Sequence, residues 1–368
     1  MHICSRQETS DLFDKLFAKS EADRLPYSAS MEITKNCNFK CIQCYNSPHS
    51  VSPELSFEKL KYIVDQLVDN NCFSMVVTGG EPLVHRDFEK FWEYTYKKGV
   101  LLTLFTNGFL ADQYLDLLEK YPPLLIEITL YGFSDKTYQK VTGRADAFDR
   151  VMKNIGEIKR RNFNLMLKSM VLKQNIQDIV DIYHFAKKQN ITYRFDPFVH
   201  PSKFGDDKSH TLADPRDIAG LFKFVRDEQS DIVDFMTKVD RYRECFVRSK
   251  NLYSCNAGRA NVFIDYLGNV QPCASTCMPD TSIFKRSVSD IMTNDFPKWL
   301  TKESDDESAL KCRNCQDIMF CAWCGAIETH PLYSNELKDR WRKQICGIAK
   351  VRKKYMEEAL EHAGKRKN

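Results

Sequence analysis

The 368-residue sequence has no long hydrophobic run and no excess of charge of one sign. No apolar stretch approaches the roughly 20 residues of a membrane span. Residues 1–17 mix charged and apolar side chains and lack the hydrophobic centre of a signal peptide. The 54 basic and 50 acidic residues interleave along the chain. We therefore expect a cytoplasmic protein with neither a membrane nor a nucleic-acid partner.

Cysteine is absent from the middle of the chain, between Cys72 and Cys245, although the sequence holds fourteen cysteines. A reducing cytoplasm disfavours structural disulfides, so metal or redox chemistry is the better explanation for this number. One tight group lies near the N-terminus and a longer one near the C-terminus: Cys37, Cys41 and Cys44, and then Cys255 to Cys346.

Strand-like and helix-like segments alternate from about residue 28 to 225. The predicted strands are 28–34, 74–78, 101–105, 124–130, 165–172 and 191–195. Between and after them we predict helices at 57–70, 87–98, 111–120, 147–161 and 176–189. Repeated βα units imply a parallel sheet, and six are too few for a standard eight-stranded barrel. The predicted fold class is therefore α/β, with an open, partial (β/α)6 barrel.

After about residue 240 this pattern ends, and short segments with glycine, proline and cysteine pairs follow. Such a composition is typical of a domain organised by metal rather than by a large apolar core. A predicted helix from about Asn335 to Ala363 closes the chain. We expect an N-terminal extension at 1–26, the barrel at 27–235, a cysteine-rich domain at 236–350, and a helix end and tail at 351–368.

The first cysteine group, Cys37, Cys41 and Cys44, has the spacing C-x3-C-x2-C directly after the first predicted strand. Three thiolates this close can hold one face of a cubane iron–sulfur cluster and leave its fourth iron open. The alternative is a zinc site, for which His49 would be a conceivable fourth ligand. A Gly-Gly-Glu-Pro sequence, residues 79–82, ends the second predicted strand.

These two motifs, in this order, resemble the signature of the radical S-adenosylmethionine (radical SAM) superfamily. The resemblance implies a 4Fe-4S cluster whose open iron binds S-adenosylmethionine, and reductive cleavage to a 5′-deoxyadenosyl radical that abstracts hydrogen. It also implies cofactor contacts at Gly79, Gly80, Glu81, Asn107 and Thr129. An ordinary turn is the alternative for Asn107, and a plain strand residue for Thr129. Gln43 stands where the family usually has an aromatic residue or histidine.

The second cysteine group reads C-x12-G-x4-C from Cys255 to Cys273, then C-x2-C-x5-C-x2-C from Cys312 to Cys324, then Cys346. It resembles the SPASM extension of radical enzymes that modify peptides and proteins, with one residue fewer before Cys324. The resemblance implies two auxiliary 4Fe-4S clusters. The distal one would use Cys312, Cys315, Cys321 and Cys346, and the proximal one Cys255, Cys273 and Cys324. A zinc ribbon, the alternative, has longer gaps between its cysteine pairs.

Three clusters with one open iron need one cysteine ligand more than the two motifs supply. The unassigned cysteines are Cys4, Cys72, Cys245 and Cys277. We favour Cys277, because a Cys-x3-Cys loop with Cys273 can place both sulfurs on one cubane. Cys72 is expected to be a small core residue. The alternatives are ligation by Cys245 or an iron left open for a substrate thiol.

By family analogy we expect a maturase that modifies a peptide or protein through a thioether, a C–C or C–O crosslink, or an oxidised side chain. A reductant such as flavodoxin or ferredoxin is an expected partner. Only 36 residues precede Cys37, so we expect either that a separate leader-recognition protein presents the peptide or that the SPASM domain reads it directly. The alternatives are radical oxidation of a small molecule, such as a sugar or tetrapyrrole side chain, and a non-catalytic electron carrier. Asp135 and Asp196 are candidate general bases.

Overall fold

The structure is a computed structural model that describes residues 15–16, 18–228, 251–253, 255–303, 307, 311–312 and 314–365. The strands are β1 (Ser28–Glu32), β2 (Ser74–Thr78), β3 (Leu101–Thr106), β4 (Leu125–Thr129), β5 (Leu165–Met170), β6 (Thr192–Asp196), β7 (Asn261–Ile264) and β8 (Val270–Gln271). The helices are α1 (Phe57–Asp69), α2 (Phe88–Lys97), α3 (Leu115–Lys120), α4 (Asp135–Thr142), α5 (Ala147–Arg160), α6 (Ile179–Lys188), α7 (Pro215–Glu228), α8 (Val288–Asn294), α9 (Phe296–Leu300), α10 (Gly325–Glu328) and α11 (Asn335–Lys365).

The sheet of the described residues has the order β6-β5-β4-β3-β2-β1-β7-β8. Strands β1 to β6 are parallel to their neighbours, which confirms the predicted partial barrel. The extension of the sheet was not predicted: β7, from the cysteine-rich region, pairs in parallel with β1, and β8 returns antiparallel. The cysteine-rich region is therefore joined to the barrel by backbone hydrogen bonds.

Helix α1 shows why the βα units fold as predicted. Its residues Leu60, Ile63, Val64 and Leu67 recur at helical spacing and are all fully buried against the sheet. Ser56 stands at the N-cap position, but its side chain makes no capping hydrogen bond. Burial of the apolar face, rather than the cap, therefore stabilises this helix.

Two predicted helices begin later than expected, because each starts with a tighter 3-10 turn. Residues Ala111–Gln113 precede α3, and Ile176–Asp178 precede α6. Helices α4 and α7 were not in the prediction. Helix α4 carries a clear start and stop: the Ser134 hydroxyl accepts a hydrogen bond from Thr137 N at 3.2 Å, and Gly143 ends it with a φ of 72°.

The long C-terminal helix α11 packs beside α7 and closes a second apolar core. Its side chains Leu337, Trp341 and Ile345 are buried there with Phe198 and Ile218 of the barrel region. This core attaches the end of the chain to the carboxyl-end loops of the barrel. None of the described helices is both long and apolar enough to cross a membrane.

Candidate active site

A cavity of about 380 Å³ lies at the carboxyl ends of the parallel strands. Its wall is formed by the loop after β1, the ends of β2 to β6 and the loop after β6. Ala274 and Ser275 of the cysteine-rich region complete the wall. In open α/β sheets this end of the strands is where ligands bind. The lining includes all three cysteines of the first motif and all five predicted cofactor contacts: Cys37, Cys41, Cys44, Gly79, Gly80, Glu81, Asn107 and Thr129.

The three cysteines of the first motif lie in the loop between β1 and α1 and face this cavity. Burial raises the pKa of the Cys37 thiol to about 12, and the buried Glu81 carboxylate adds to the rise. Burial also raises the pKa of Cys41 and Cys44, and neighbouring Cys37 and Cys44 raise that of Cys41 further. Thiolates at this site therefore require a compensating positive charge, which cluster iron supplies.

His49 does not complete a zinc site with these thiols. Its Nε2 lies 3.2 Å from the carbonyl oxygen of Cys41, and because that oxygen only accepts, the imidazole donates to it. Within the described residues, no three Cys, His, Asp or Glu side chains come close enough to hold a single metal ion. A cubane cluster needs more widely spaced ligands than one ion does, and the cavity beside the three thiols offers that space.

Glu81 follows β2 and is fully buried, with its carboxylate used by the protein itself. It accepts hydrogen bonds from Thr106 Oγ1 at 2.7 Å, Asn107 N at 2.7 Å and Leu83 N at 3.1 Å. Burial raises its pKa to about 7, although these three donors act in the opposite direction. These contacts use the carboxylate to fix the loop, and contact of Glu81 with the cofactor stays a prediction.

Gly79 and Gly80 let the end of β2 pack against the segment that leads into Cys37. Gly80 N donates to Thr34 O at 2.8 Å, and Glu81 N donates to Asn36 O at 2.9 Å. A Cβ at Gly79 would overlap the Thr34 carbonyl oxygen, and one at Gly80 would overlap the carbonyl oxygens of Lys35 and Asn36. A side chain at Gly80 would thus displace the cysteine loop as well as any ligand beside it.

Asn107 ties the end of β3 to the cysteine loop, which an ordinary turn residue would not do. Its Nδ2 donates to Asn38 Oδ1 at 2.7 Å and lies 3.9 Å from Cys37 Sγ, while its Oδ1 accepts from Phe109 N at 3.0 Å. Thr129 lies at the end of β4, faces the cavity and is paired in register with Lys168 of β5.

The sequence reasoning missed a charged cluster on β4, β5 and β6. Lys168 faces the cavity, lies 3.8 Å above the centre of the Phe105 ring and forms an ion pair with the buried Glu127 at 2.6 Å. Arg194 binds the same carboxylate at 2.9 Å. Burial lowers the pKa of Lys168, and Glu127 opposes that shift. One sequence signal could have revealed this cluster: Glu127 is a charged residue in the middle of the Leu-Ile-Glu-Ile-Thr strand.

Of the two candidate bases, Asp196 lines the cavity at the end of β6, whereas Asp135, the first residue of α4, does not. Asp196 Oδ1 accepts a hydrogen bond from Phe198 N at 2.9 Å. His200 also lines the cavity, and its buried Nδ1 has no hydrogen-bond partner. Burial lowers the pKa of His200, so its imidazole is neutral near pH 7.

Residues 31–186, which carry this site, match the Radical SAM superfamily. The chain carries a radical SAM domain. It is 26% identical over 342 residues to the antilisterial bacteriocin subtilosin biosynthesis protein AlbA of Bacillus subtilis, covering 89% of this chain and 72% of AlbA. It is 23% identical over 331 residues to the AdoMet-dependent heme synthase of Methanosarcina barkeri, covering 84% of this chain and 93% of that protein.

Two solved structures share the fold over most of this chain. Streptococcus suis SuiB bound to its precursor peptide SuiA matches with a TM-score of 0.62 at 18% identity, over 87% of this chain and 77% of SuiB. The enzyme anSMEcpe with bound AdoMet matches with a TM-score of 0.63 at 16% identity, over 90% of this chain and 99% of that one. The family implies a 4Fe-4S cluster and S-adenosylmethionine as cofactors.

Outside the radical SAM domain, the second cysteine group separates into two neighbourhoods. Burial raises the pKa of Cys273 to about 12, with contributions from Cys324 and then Cys255. Burial also raises the pKa of Cys321 to about 12, and here the neighbouring cysteines are Cys312, Cys346 and Cys315. These are the proximal and distal sets that the family resemblance implies. Ligation of iron by either set stays a prediction.

Cys277, the predicted fourth ligand of the proximal set, is exposed. It lines a second cavity of about 260 Å³ with Tyr253 and His330. The pKa of Tyr253 is raised by burial and by Cys324 and Cys273, so this cavity borders the proximal set. Cys72 is buried, as expected of a core residue. Cys4 and Cys245 lie outside the described residues.

Proposed function

We propose that this radical SAM enzyme modifies a peptide or protein substrate post-translationally. It would generate a 5′-deoxyadenosyl radical from S-adenosylmethionine, remove a hydrogen from a side chain, and form a thioether, a C–C or C–O crosslink, or an oxidised product. One observation carries the proposal: Ala274 and Ser275, directly after Cys273, are part of the wall of the barrel cavity. A cysteine group of the C-terminal region thus borders the space in which the radical would form.

Three cysteine sets would hold the clusters in this proposal. Cys37, Cys41 and Cys44 would hold the cluster that binds S-adenosylmethionine, and the two sets of the C-terminal region would hold the auxiliary clusters. When bound, such clusters supply single electrons and accept them. The raised thiol pKa values in all three sets fit residues that become thiolates only when iron is present.

For the fourth ligand of the proximal set we retain Cys277. Tyr333 supports this choice, because both Cys324 and Cys277 contribute to the raised pKa of its hydroxyl. Thr276 and Cys277, which directly follow Ser275, line the second cavity, so the loop after Cys273 lies between the two cavities. Ligation by Cys277 would favour electron transfer by the proximal cluster, and an open iron would favour direct substrate binding.

The chain's own residues would orient the reactants in the barrel cavity. Asn107 and Glu81 hold the cysteine loop in place through the contacts described above. Lys168 and Lys203 both line the cavity, and each forms an ion pair with a buried carboxylate, Glu127 and Glu32 respectively. Such anchored cations suit the carboxylate of S-adenosylmethionine or an acidic group of the substrate.

The similarity to the heme synthase favours a second candidate, oxidation of a small molecule such as a tetrapyrrole side chain, because it extends over 93% of that protein. The likeness to AlbA and to SuiB favours the peptide instead. A non-catalytic electron carrier would need neither a cavity of about 380 Å³ beside the first cysteine motif nor its glycine segment.

The test is turnover of the anaerobically reconstituted enzyme with short peptides encoded beside its gene, read by mass spectrometry. Dithionite or a flavodoxin system supplies the electron, and the products are followed together with 5′-deoxyadenosine. A mass change on one peptide, dependent on S-adenosylmethionine, is the expected result. Turnover of a tetrapyrrole or a sugar with none of the peptides changed would replace this proposal with the second candidate. An encoded leader-binding partner is added in a parallel reaction.

A further inference from the structure

One histidine of the barrel cavity, His200 in the loop after β6, forms no hydrogen bond to any described residue through either ring nitrogen. Its Nδ1 is buried without a partner. The buried His85 shows the contrast: its Nε2 lies 3.2 Å from Leu55 O, and its Nδ1 accepts from Asp87 N at 3.1 Å. Buried polar groups that serve structure alone are normally paired in this way, so His200 requires another explanation.

The Nε2 atom is the part of this imidazole that stays accessible. Nδ1 is closed off from solvent, whereas Nε2, which also has no partner among the described residues, is not. The centre of the ring lies 5.9 Å from that of Trp341, a buried residue of the second apolar core. Burial lowers the pKa of His200, so the space beside Nε2 is enclosed, and the barrel cavity is the space that His200 lines. Because no partner fixes the tautomer, the form with a lone pair on Nε2 is available.

The other acidic and basic groups of this wall are already engaged. Both lysines of the wall are paired with carboxylates. Glu81 accepts three hydrogen bonds, and the exposed His49 donates through Nε2 to a backbone carbonyl oxygen. Asp196 accepts from a backbone N–H at 2.9 Å, and an aspartate, with an ordinary pKa of about 4, is a weaker base than imidazole. The cysteine-rich region adds only Ala274 and Ser275 to the described wall, and neither is basic.

The proposed reaction needs a base in this cavity. A thioether, a C–C or C–O crosslink and an oxidised side chain each contain two hydrogens fewer than the substrate. One hydrogen leaves as an atom and converts the 5′-deoxyadenosyl radical to 5′-deoxyadenosine. The second leaves as a proton and an electron: an S–H, O–H or C–H bond breaks, the new bond forms, and the electron passes to an oxidised 4Fe-4S cluster of the auxiliary type. The proton requires an acceptor beside the substrate.

We propose that Nε2 of His200 accepts this proton, and that the Asp196 carboxylate stabilises the imidazolium that results. Both side chains line the cavity, Asp196 at the end of β6 and His200 four residues later. Asp196 is the charged group that acts on the ring, and it raises the pKa of His200 against the effect of burial. The role rests on the proposed function, in which the substrate loses two hydrogens, and not on which peptide is modified.

The test uses the anaerobically reconstituted enzyme and the peptide found in the turnover experiment, in D₂O under dithionite. In His200→Gln and His200→Phe, 5′-deoxyadenosine should still form, whereas product per 5′-deoxyadenosine should fall by about 100-fold. The phenylalanine keeps a ring beside Trp341 and removes both nitrogens. The substrate radical then takes an electron from dithionite and a deuteron from solvent, so the recovered peptide should gain one non-exchangeable deuterium, which mass spectrometry detects.

The pH dependence gives a second readout. Burial places the pKa of His200 below the ordinary histidine value of about 6.5. A protonated ring accepts no proton, so product per 5′-deoxyadenosine in wild type should fall as the pH drops through that pKa. The residual product of the two His200 variants should not show this fall.

His210→Gln is the matched control, because His210 is exposed and does not line the cavity, and it should match wild type. Iron content is measured for every variant. A wild-type yield of product per 5′-deoxyadenosine in both His200 variants overturns the proposal. So does a loss of 5′-deoxyadenosine in proportion to product at full iron content, which would give His200 a role in cofactor cleavage instead.

A measurement without substrate separates this proposal from the proposed function. Diethyl pyrocarbonate reacts with the lone pair of an accessible, neutral imidazole. In the reconstituted wild type it should modify His200 and leave His85 unmodified, as read by peptide mapping, because backbone groups occupy both nitrogens of His85. An unmodified His200, under conditions that modify His210, overturns the proposal. If wild type changes none of the peptides, the proposed function fails while this result still decides whether His200 is a free base.

Discussion

The Glu81 carboxylate is fully buried, and three donors from β3 and the turn after β2 converge on it. In Glu81→Gln, an amide N–H₂ group must face at least one of these donors. We expect a loss of about 1–3 kcal/mol in the free energy of unfolding, because one buried donor is left unsatisfied. Chemical unfolding followed by circular dichroism measures this loss. Glu89→Gln on the exposed face of α2 is the control, and equal stability of the two variants would contradict the contacts described for Glu81.

Lys168 forms an ion pair in the barrel with the buried Glu127, and Arg194 is a second partner of the carboxylate. A double-mutant cycle with Lys168→Met and Glu127→Gln should give a coupling energy of about 1–3 kcal/mol, since each single change leaves a buried charge poorly paired. The exposed pair of Lys97 and Glu93 serves as the control, with an expected coupling below about 0.5 kcal/mol. Additive effects at Lys168 and Glu127 would show that the pair is not formed.

Among single residues, the sequence predicted the site residues that belong to a motif and missed the site residues whose position depends on packing. Cys37, Gly80 and Asn107 were found because spacing and strand ends mark them. Lys168 and His200 were missed, because only the folded chain shows which side of β5 faces the cavity and how the loop after β6 returns over it. Gln43 was noted only as a departure from the family, and its unpartnered amide oxygen is a property of the packed loop.

Among the elements, long periodic segments were predictable and short ones were not. The apolar faces of α1 and α5 are long enough to show a helical period, so their bounds were found within a residue or two. Strands β7 and β8 have four and two residues, too few to show alternation. Their pairing with β1 is a long-range contact across more than 200 residues of chain, which local pattern does not encode.

The loop from Cys273 to Pro279 is the element that decides how the proximal auxiliary cluster is held. Ala274 and Ser275 of this loop line the barrel cavity, and Thr276 to Pro279 line the second cavity. If Cys277 is the fourth ligand, Cys277→Ala should bind less iron than wild type, for which about twelve irons are expected from three cubanes. Its auxiliary paramagnetic resonance signal should also change.

Iron counting and electron paramagnetic resonance of the reconstituted proteins measure both effects. Cys72→Ala is the control, because Cys72 is buried in the barrel core and its Sγ lies 3.3 Å from Ser74 O, away from the cluster loops. A Cys277→Ala protein with all its iron and an unaltered auxiliary signal would remove Cys277 from the ligand set and favour an open iron.

For the whole molecule, the second apolar core links the C-terminal helix to the barrel. Trp341 is 3% exposed within it, beside Phe198 and Ile218. Trp341→Ala should lower the free energy of unfolding by about 3–5 kcal/mol, since it removes a large buried side chain and leaves a cavity. Leu332→Ala, at a 57% exposed site of the same region, should change it little. Equal effects of the two substitutions in chemical unfolding would contradict the packing of α11 on the barrel.

The arrangement of the molecule as a whole follows from the position of the cysteine-rich region. Strand β7 attaches it to β1, the strand that leads into the first cysteine motif, and α11 attaches it to the loops after β6. The sequence predicted the partial barrel and the two cysteine groups separately. It could not predict that Ser275 enters the barrel cavity, because that contact depends on the shared sheet.

The central claim is that the first cysteine motif holds the cluster at which S-adenosylmethionine is cleaved. The most direct measurement is 5′-deoxyadenosine formation, under dithionite, by wild type and by the variant with Cys37, Cys41 and Cys44 all changed to alanine. Wild type should form 5′-deoxyadenosine, and the variant should form none while it keeps iron at the auxiliary cysteines. Formation of 5′-deoxyadenosine by the variant at the wild-type rate would contradict the account.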